Sequence, residues 1–412
     1  MNLSAAKIHL ALDLGTTTLA GCLLDGRGVR LAVAQAPNPQ RLLGADVLRR
    51  LEAARDGQAT ELQRLLIEGI DALVQTLCST AGVGRENISS AAAAANSAVT
   101  LLLRRLPVET LLRPPYRPTD LSGAWFDLAS AGVDGLPPLY LFPLAGGFVG
   151  GDLVAFLYGQ PQPVAPTLYI DIGTNAELAL FAGDRWWVTS AAAGPAFEGE
   201  GIAAGMAFAP GAICGVQCEA DRFVLQVAGG GVPCGICGSG LVEAIAAARD
   251  GGLLDAQGTF VAPDAVTTNL ARYLRPDGSG FALQLYRDAR TEILLTQSDV
   301  RNFQLAKAAV RAGVDCLLQK AAVAGETIES VVLTGAFGFS LTSSTLKKVA
   351  MLPAKMIDKV RFEPGGALSG VSRLLLQESG RSEVESFTRR LTSYPLSGTP
   401  AFESAFIEAI NF

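Results

Sequence analysis

Two short stretches of this 412-residue chain carry residues suited to chemistry on phosphate. Leu12-Asp13-Leu14-Gly15-Thr16-Thr17-Thr18 and Ile170-Asp171-Ile172-Gly173-Thr174-Asn175 share one pattern, 158 residues apart. In each, an apolar run delivers an aspartate. A glycine then lets the backbone turn tightly, so that amide N–H groups and threonine hydroxyls face anionic oxygens. Mg²⁺ held mostly by water and phosphate needs only one or two carboxylates, and Asp13 and Asp171 would supply them. A third stretch, Leu333-Thr334-Gly335-Ala336-Phe337-Gly338, follows an apolar run and precedes a helical pattern. There the small residues Gly335 and Ala336 allow a base and ribose to approach the backbone, which makes it the expected adenosine site. Asp171 is the expected catalytic carboxylate. Glu198, in the glycine-flanked stretch Gly194–Gly201, reads either as the group that orients an attacking water or as a solvated loop glutamate. Glu177 reads as a support behind the second phosphate loop.

The cysteines offer a second chemistry. Cys214, Cys218, Cys234 and Cys237 follow a C-x3-C-x15-C-x2-C spacing, and four thiolates can hold an iron–sulfur cluster or zinc. The competing reading is that they are small buried hydrophobes, as Cys22, Cys78 and Cys316 are in their apolar settings. Seven cysteines, an odd number in a long chain, fit reduced thiols better than a disulfide framework. The single His9 argues against histidine-based metal sites and a histidine base.

These groups need strands and turns to position them. The runs 8–14 and 19–24, with a further strand through Val33, read as a β-meander, and TLYIDIG, ELALFAG and WWVTS from Thr167 onward repeat it. Helical periodicity covers 44–55, 59–81, 240–249, 304–324 and 346–351, and an alanine run leads into Asn96 and a helix to Arg105. Pro107–Pro143 reads as irregular surface structure, and a strand is expected at 328–333. Duplicated meanders that each open on D-x-G-T, plus a distal glycine-rich strand-to-helix turn, define an α/β fold. It is the two-lobed, ribonuclease H-like ATPase fold of actin, sugar kinases and heat-shock chaperones. The expected division is a first lobe over 1–165, a second over 166–381, and a C-terminal segment over 382–412 whose final helix docks on the body.

Composition narrows the setting. With 49% hydrophobic and 17% charged residues the chain can bury a large core. A net charge of −6 and no basic run make nucleic acid an unsuitable partner. The mean hydropathy of +0.32 owes much to alanine runs. The least polar stretch, Leu141–Tyr158, is interrupted by Pro143, Asp152 and glycines, so no membrane span is expected. The N-terminus lacks the apolar core of a secretory signal, which points to the cytoplasm.

The chain also resembles a known family. ALDLGTTTLAG, AAANSAVTLLL, LLRPPYRP, GGFVGGDLVA, YIDIGTNAELAL, AAAGPAFEGEGIAAGM, GICGSGLVEAI, LTQSDVRNFQLAKAAVRAG, LTGAFG and FIEAINF together look like the ATPase portion of the reductive activators of corrinoid proteins, over nearly the whole length. The resemblance implies ATP turnover coupled to reduction of Co(II) to Co(I) in a partner corrinoid protein. One-electron reduction loses a factor of ten in equilibrium for every ~59 mV uphill, so a weak donor needs a driven conformational step. It also implies that Asp13, Gly15, Thr16, Thr17 and Thr18 form the first phosphate loop and Asp171, Gly173, Thr174 and Asn175 the second. Relatives typically carry an N-terminal ferredoxin-like domain, whereas this sequence starts at the first phosphate-loop strand. Electrons are therefore expected from a separate iron–sulfur protein. Two other readings of the same fold stand beside this one: an ATP-driven switch that binds a partner without redox chemistry, and a small-molecule kinase.

Overall fold

A computed structural model describes residues 7–219, 221–335 and 341–412. The chain forms two compact units. The first runs to Val164 and takes in Asp184–Val188 and Gly365–Ser393; the second holds Ala165–Gly183, Thr189–Pro364 and Tyr394–Phe412.

The first unit is built on a six-stranded sheet of β1 (Ile8–Leu14), β2 (Thr18–Asp25), β3 (Arg30–Pro37), β4 (Ile88–Ala95), β5 (Ala124–Phe126) and β6 (Leu139–Leu141), in the order β3-β2-β1-β4-β6-β5. The meander is antiparallel, and β4 adds parallel to β1 with Leu14 beside Ala95. Ile8, Leu10, Leu12 and Leu14 are fully buried, as expected of a central strand covered on both faces. They pack with Leu66, Ile70, Leu73 and Leu77 of the helix Ala59–Ala81, which stops at Gly82 in the left-handed conformation. The alanines of β4 suit close cover rather than strand propensity. The helix Gly366–Leu376 lies over β1 and β4, and it meets the helix Gly151–Gly159 so closely that a Cβ on Gly370 would sit 1.8 Å from the Ala155 carbonyl oxygen. Pro107–Pro143, expected to be irregular, supplies the edge strand β5 and its neighbour β6, which at three residues each leave little periodicity to read.

The second unit repeats the theme. β7 (Thr167–Ile172) and β8 (Ala176–Ala182) are antiparallel, and the boundary between the units passes through β9 (Arg185–Ala191). The strand Ser330–Gly335 adds parallel to β7, and Val360–Phe362 parallel to that. Two three-stranded sheets, over 212–236 and 274–295, were not visible as sheets in the sequence pattern. The long helix expected from Gln304 begins at Gln297, because Thr296 and Asp299 close a reciprocal capping box. The last helix, Pro400–Glu408, packs on that helix, and Phe412 stacks on Phe303 with ring centroids 6.2 Å apart. Among the described residues no helix is long and apolar enough to cross a membrane.

Candidate functional site

Each unit presents its aspartate at the end of its first strand, but the neighbours differ. Asp13 stands between Ala20 of β2 and Ala94 of β4. Asp171 stands between Glu177 of β8 and Thr334 of the strand Ser330–Gly335. Directly opposite residues in an antiparallel pair share a face, so Asp171 and Glu177 form a carboxylate pair on one side of the sheet. Ser190 donates to Glu177 Oε1 at 3.3 Å, which keeps Glu177 on the supporting side of that pair.

In the first unit the loop after β1 is held at every carbonyl. Gly15 N–H donates to Thr18 O at 3.0 Å, and Asn38 Nδ2 donates to Gly15 O at 2.8 Å. Arg50, buried at 1% exposure, donates Nη1 to Thr16 O at 2.7 Å, and the Asn38 N–H donates to Thr17 O at 2.8 Å. Asn96 Nδ2 donates to Thr16 Oγ1 at 2.9 Å while its own Oδ1 caps the helix Ser97–Arg104 through Val99 N–H. Carbonyls that are already satisfied leave the loop's donors as its outward polarity, which suits an anion. Sequence reasoning missed Asn38, Arg50 and Asn96. Only Asn96, an N-cap before an apolar helix, left a readable signal.

In the second unit the turn after β7 closes through Gly173 N–H to Asn175 O at 2.9 Å, and Gly194 N–H donates to Thr174 O at 2.8 Å. Thr174 Oγ1 donates to Glu198 Oε2 at 2.7 Å. The turn Pro195–Glu198, flanked by Gly194 and Gly199 at φ +78° and +81°, thus brings the half-buried Glu198 to the turn after β7. That turn is pinned from behind. The Phe197 carbonyl lies where a Cβ on Gly238 would be 1.7 Å away, so GPAFEG needs the first helical glycine of GICGSG. Asp299 Oδ1 accepts from Ala203 N–H at 2.8 Å, and Asn302 Nδ2 donates to Gly201 O at 2.7 Å.

Gly335 ends its strand at φ +98°, and a Cβ there would lie 2.1 Å from Ile172 O and 2.7 Å from Asp171 Oδ1. The third loop thus starts against the end of β7. Ala336 lies outside the described residues. Beyond it, Thr345 and Lys348 join Cys214, Cys218, Gln226 and Glu243 around a cavity of about 300 Å³ that the sequence did not reveal. Glu243 accepts from Thr345 Oγ1 at 2.9 Å, and burial pushes its carboxyl above the usual range. Lys348 pairs with Asp250 at 3.0 Å.

The four cysteines do not assemble. Cys214 and Cys218 lie four residues apart on the strand Ala212–Glu219, about 13 Å at the rise of an extended chain. Cys214 Sγ turns to Gln226 O, Cys237 Sγ to Ile213 O, and exposed Cys234 to Val232 O. Cys214 and Cys237 pack with Ala212 as the hydrophobes of the alternative reading. Among the described residues no group of three or more His, Cys, Asp or Glu is placed to hold a metal ion.

Comparison with known proteins agrees with this geometry. Residues 165–412 match the family model described as the C-terminal, ASKHA domain of RACo, and residues 8–160 match that of the RACo middle region. The chain is 31% identical to the corrinoid activation enzyme RamQ of Eubacterium limosum, over 97% of this chain and 69% of that protein. It is 28% identical to a [Co(II) methylated amine-specific corrinoid protein] reductase of Methanosarcina barkeri, over 60% of this chain and 46% of that one. A solved reductive activator for a corrinoid, iron–sulfur protein superposes with a TM-score of 0.90 at 30% identity, covering 99% of this chain and 66% of its own. The chain thus spans between about half and about two thirds of the length of these relatives. The fold is the ASKHA fold, and the chain belongs to the RACo family.

Proposed function

We propose that this chain binds and hydrolyses ATP to drive reductive activation of a partner corrinoid protein, from Co(II) to Co(I). The observation that carries the nucleotide half of this reading is the Thr174–Glu198 hydrogen bond beside Asp171, with Gly335 closed against the same turn. Hydroxyl, carboxylate and glycine edge stand together as a phosphate loop requires.

On this reading Thr16, Thr17 and Thr18 with the Gly15 turn form the first phosphate loop, and Gly173, Thr174 and Asn175 the second. Asp13 and Asp171 fit Mg²⁺ through water, being half-buried strand-end carboxylates of a hard oxygen donor set. The ion, when bound, supplies charge neutralisation for phosphoryl transfer. Glu198 fixes the Thr174 hydroxyl and orients the attacking water beside it, while Asp171 sets the loop's negative pole. The adenosine belongs at Gly335 and Ala336, and the cavity next to Glu243 has room for a purine base.

The corrinoid half rests on the likeness to RamQ and to the solved activator, which extends well beyond the phosphate loops. Electrons are assigned to a separate iron–sulfur protein, because among the described residues no group of three or more His, Cys, Asp or Glu is placed to hold a metal ion. A cytoplasmic setting completes the reading. The decisive measurement follows Co(I) absorbance while ATP is turned over, with a Co(II) corrinoid protein and a chemical reductant. Co(I) that forms only with ATP supports the proposal. ATP hydrolysis without Co(I) across candidate corrinoid partners would reduce it to a partner-binding switch.

A further inference from the structure

The stretch LLRPPYRP plays no part in the reading above, yet its last arginine, Arg117, lines a cavity of about 380 Å³ that lies wholly within the first unit. The other walls are residues 143–145, which follow β6, and residues 385–391, at the end of the helix Gly380–Thr388. Small-molecule pockets begin at about 300 Å³, and at ~30 Å³ for each water this space is far larger than a lone ion needs.

Tertiary contacts fix the wall that carries Arg117. Tyr116 has φ +53°, a region that a residue with a bulky ring adopts only when its surroundings require it. Gly147 supplies the requirement: a Cβ there would lie 1.4 Å from the Tyr116 carbonyl oxygen, and the Tyr116 and Phe148 rings lie 5.9 Å apart. Leu144 N–H donates to Leu121 O at 2.8 Å, which joins the first wall to the second.

The charges at this cavity do not cancel one another. Glu385 and Arg389 stand four residues apart, a spacing at which helical side chains ordinarily pair. Instead Tyr140 OH donates to Glu385 Oε1 at 3.2 Å, and Gly123 makes room for that hydroxyl, since a Cβ there would be 2.1 Å from it. Asp120, beside Leu121, pairs with Arg104 at 3.3 Å and accepts from Ser122 N–H at 2.9 Å. Both neighbouring carboxylates are thus engaged. Among the described residues neither Arg117 nor Arg389 has an ion pair or a side-chain hydrogen bond. In a chain of net charge −6, two uncommitted guanidiniums at one cavity call for an anion from outside.

We propose that this cavity is a binding site for a small organic anion, one that uses no residue of the turns after β1 and β7. Arg117 and Arg389 take the oxyanion of a phosphate ester or a carboxylate, and Leu121 and Leu144 cover the body of the molecule. Guanidinium suits either head group, because its planar fork of N–H donors matches two oxygens at once. The assignment does not depend on ATP turnover.

The test titrates phenyl phosphate and benzoate by calorimetry into the full chain, with Mg-ADP present so that any nucleotide site is already occupied. Saturable binding of at least one probe is expected, with Kd of about 1 mM or tighter. Arg117→Ala and Arg389→Ala should each weaken it about fivefold and the double variant about 20-fold, the upper end for exposed ion pairs. Both arginines are exposed, so their removal leaves the fold intact. Arg113→Ala, on the same segment but outside the cavity, should bind as wild type does. Glu385→Gln keeps the acceptor for Tyr140 while removing the negative charge, so it should tighten binding about threefold. A preference for phenyl phosphate assigns the site to phosphate esters, and a preference for benzoate assigns it to carboxylates. The proposal is overturned if neither probe binds saturably, if binding survives in the double variant, or if Glu385→Gln weakens it.

Discussion

Gly335→Ala is the sharpest single perturbation of the proposed nucleotide site. At φ +98° an L-residue is strained, at a cost on the order of 1–3 kcal/mol. The added methyl would also stand 2.1 Å from Ile172 O and 2.7 Å from Asp171 Oδ1, so two hydrogen-bonded strands must part by roughly 1 Å. Overpacking of that kind adds about 1–3 kcal/mol, for a total of roughly 2–6 kcal/mol. The strain falls on the backbone that aims Asp171. Gly57→Ala separates the two contributions. Gly57 has φ +102° and nothing within 4 Å of its Cβ position, so it bears the conformational cost without the clash. Thermal unfolding and calorimetric titration of ATP on both variants give the comparison. Gly335→Ala should be the less stable and should lose about tenfold or more in ATP affinity, with Gly57→Ala binding as wild type does. If Gly335→Ala melts with Gly57→Ala and binds ATP normally, the close approach of the third loop to Asp171 is wrong.

Three further outcomes follow from single residues. Thr174→Val removes the hydroxyl that donates to Glu198 at 2.7 Å; about 2 kcal/mol for a charge-assisted bond predicts roughly a 30-fold fall in kcat/KM for ATP. Lys307 is fully buried, and burial, ahead of the nearby Arg311 and Arg249, lowers its pKa to about 8. The folded state thus disfavours its charge, and stability should rise with pH from about 8 towards the unfolded value near 10.4. Lys307→Met should accordingly raise Tm at pH 7 and gain less at pH 10, although it forfeits the bond to Asn411 O. Asp152 behaves in the opposite sense: its pKa, raised by burial, contributes stability below about 3.9 that is lost as pH rises through about 6. Asp152→Asn should therefore melt higher than wild type at pH 8 by an amount that shrinks at pH 4, and an equal difference at both would contradict the burial account.

The turns after Asp13 and Asp171 were legible because everything that defines them is local. An apolar strand, an aspartate, a glycine and threonines within seven residues specify a turn whatever lies around it, and the repetition at Asp171 made the fold class readable. The helix Gln297–Ala321 shows the limit of reading by periodicity alone. Its capping box, Thr296 with Asp299, stood in the sequence, but the apolar repeat begins only further along. The cysteines show the converse. Their sequence clustering suggested a shared ligand set, yet an extended strand carries Cys218 about 13 Å from Cys214.

What the sequence determined by itself was the pair of aspartate–glycine–threonine turns and the strand that leads to the third loop. Tertiary structure decided which distant residues complete them: Asn96 at Thr16, Glu198 at Thr174 and Gly335 against Ile172. The same holds for Gly365–Ser393, which returns to the first unit. Local propensity reports how a few neighbouring residues bend the backbone. These pairings depend instead on sheet register and on glycines that let remote backbones touch, and neither is written in the residues of one segment.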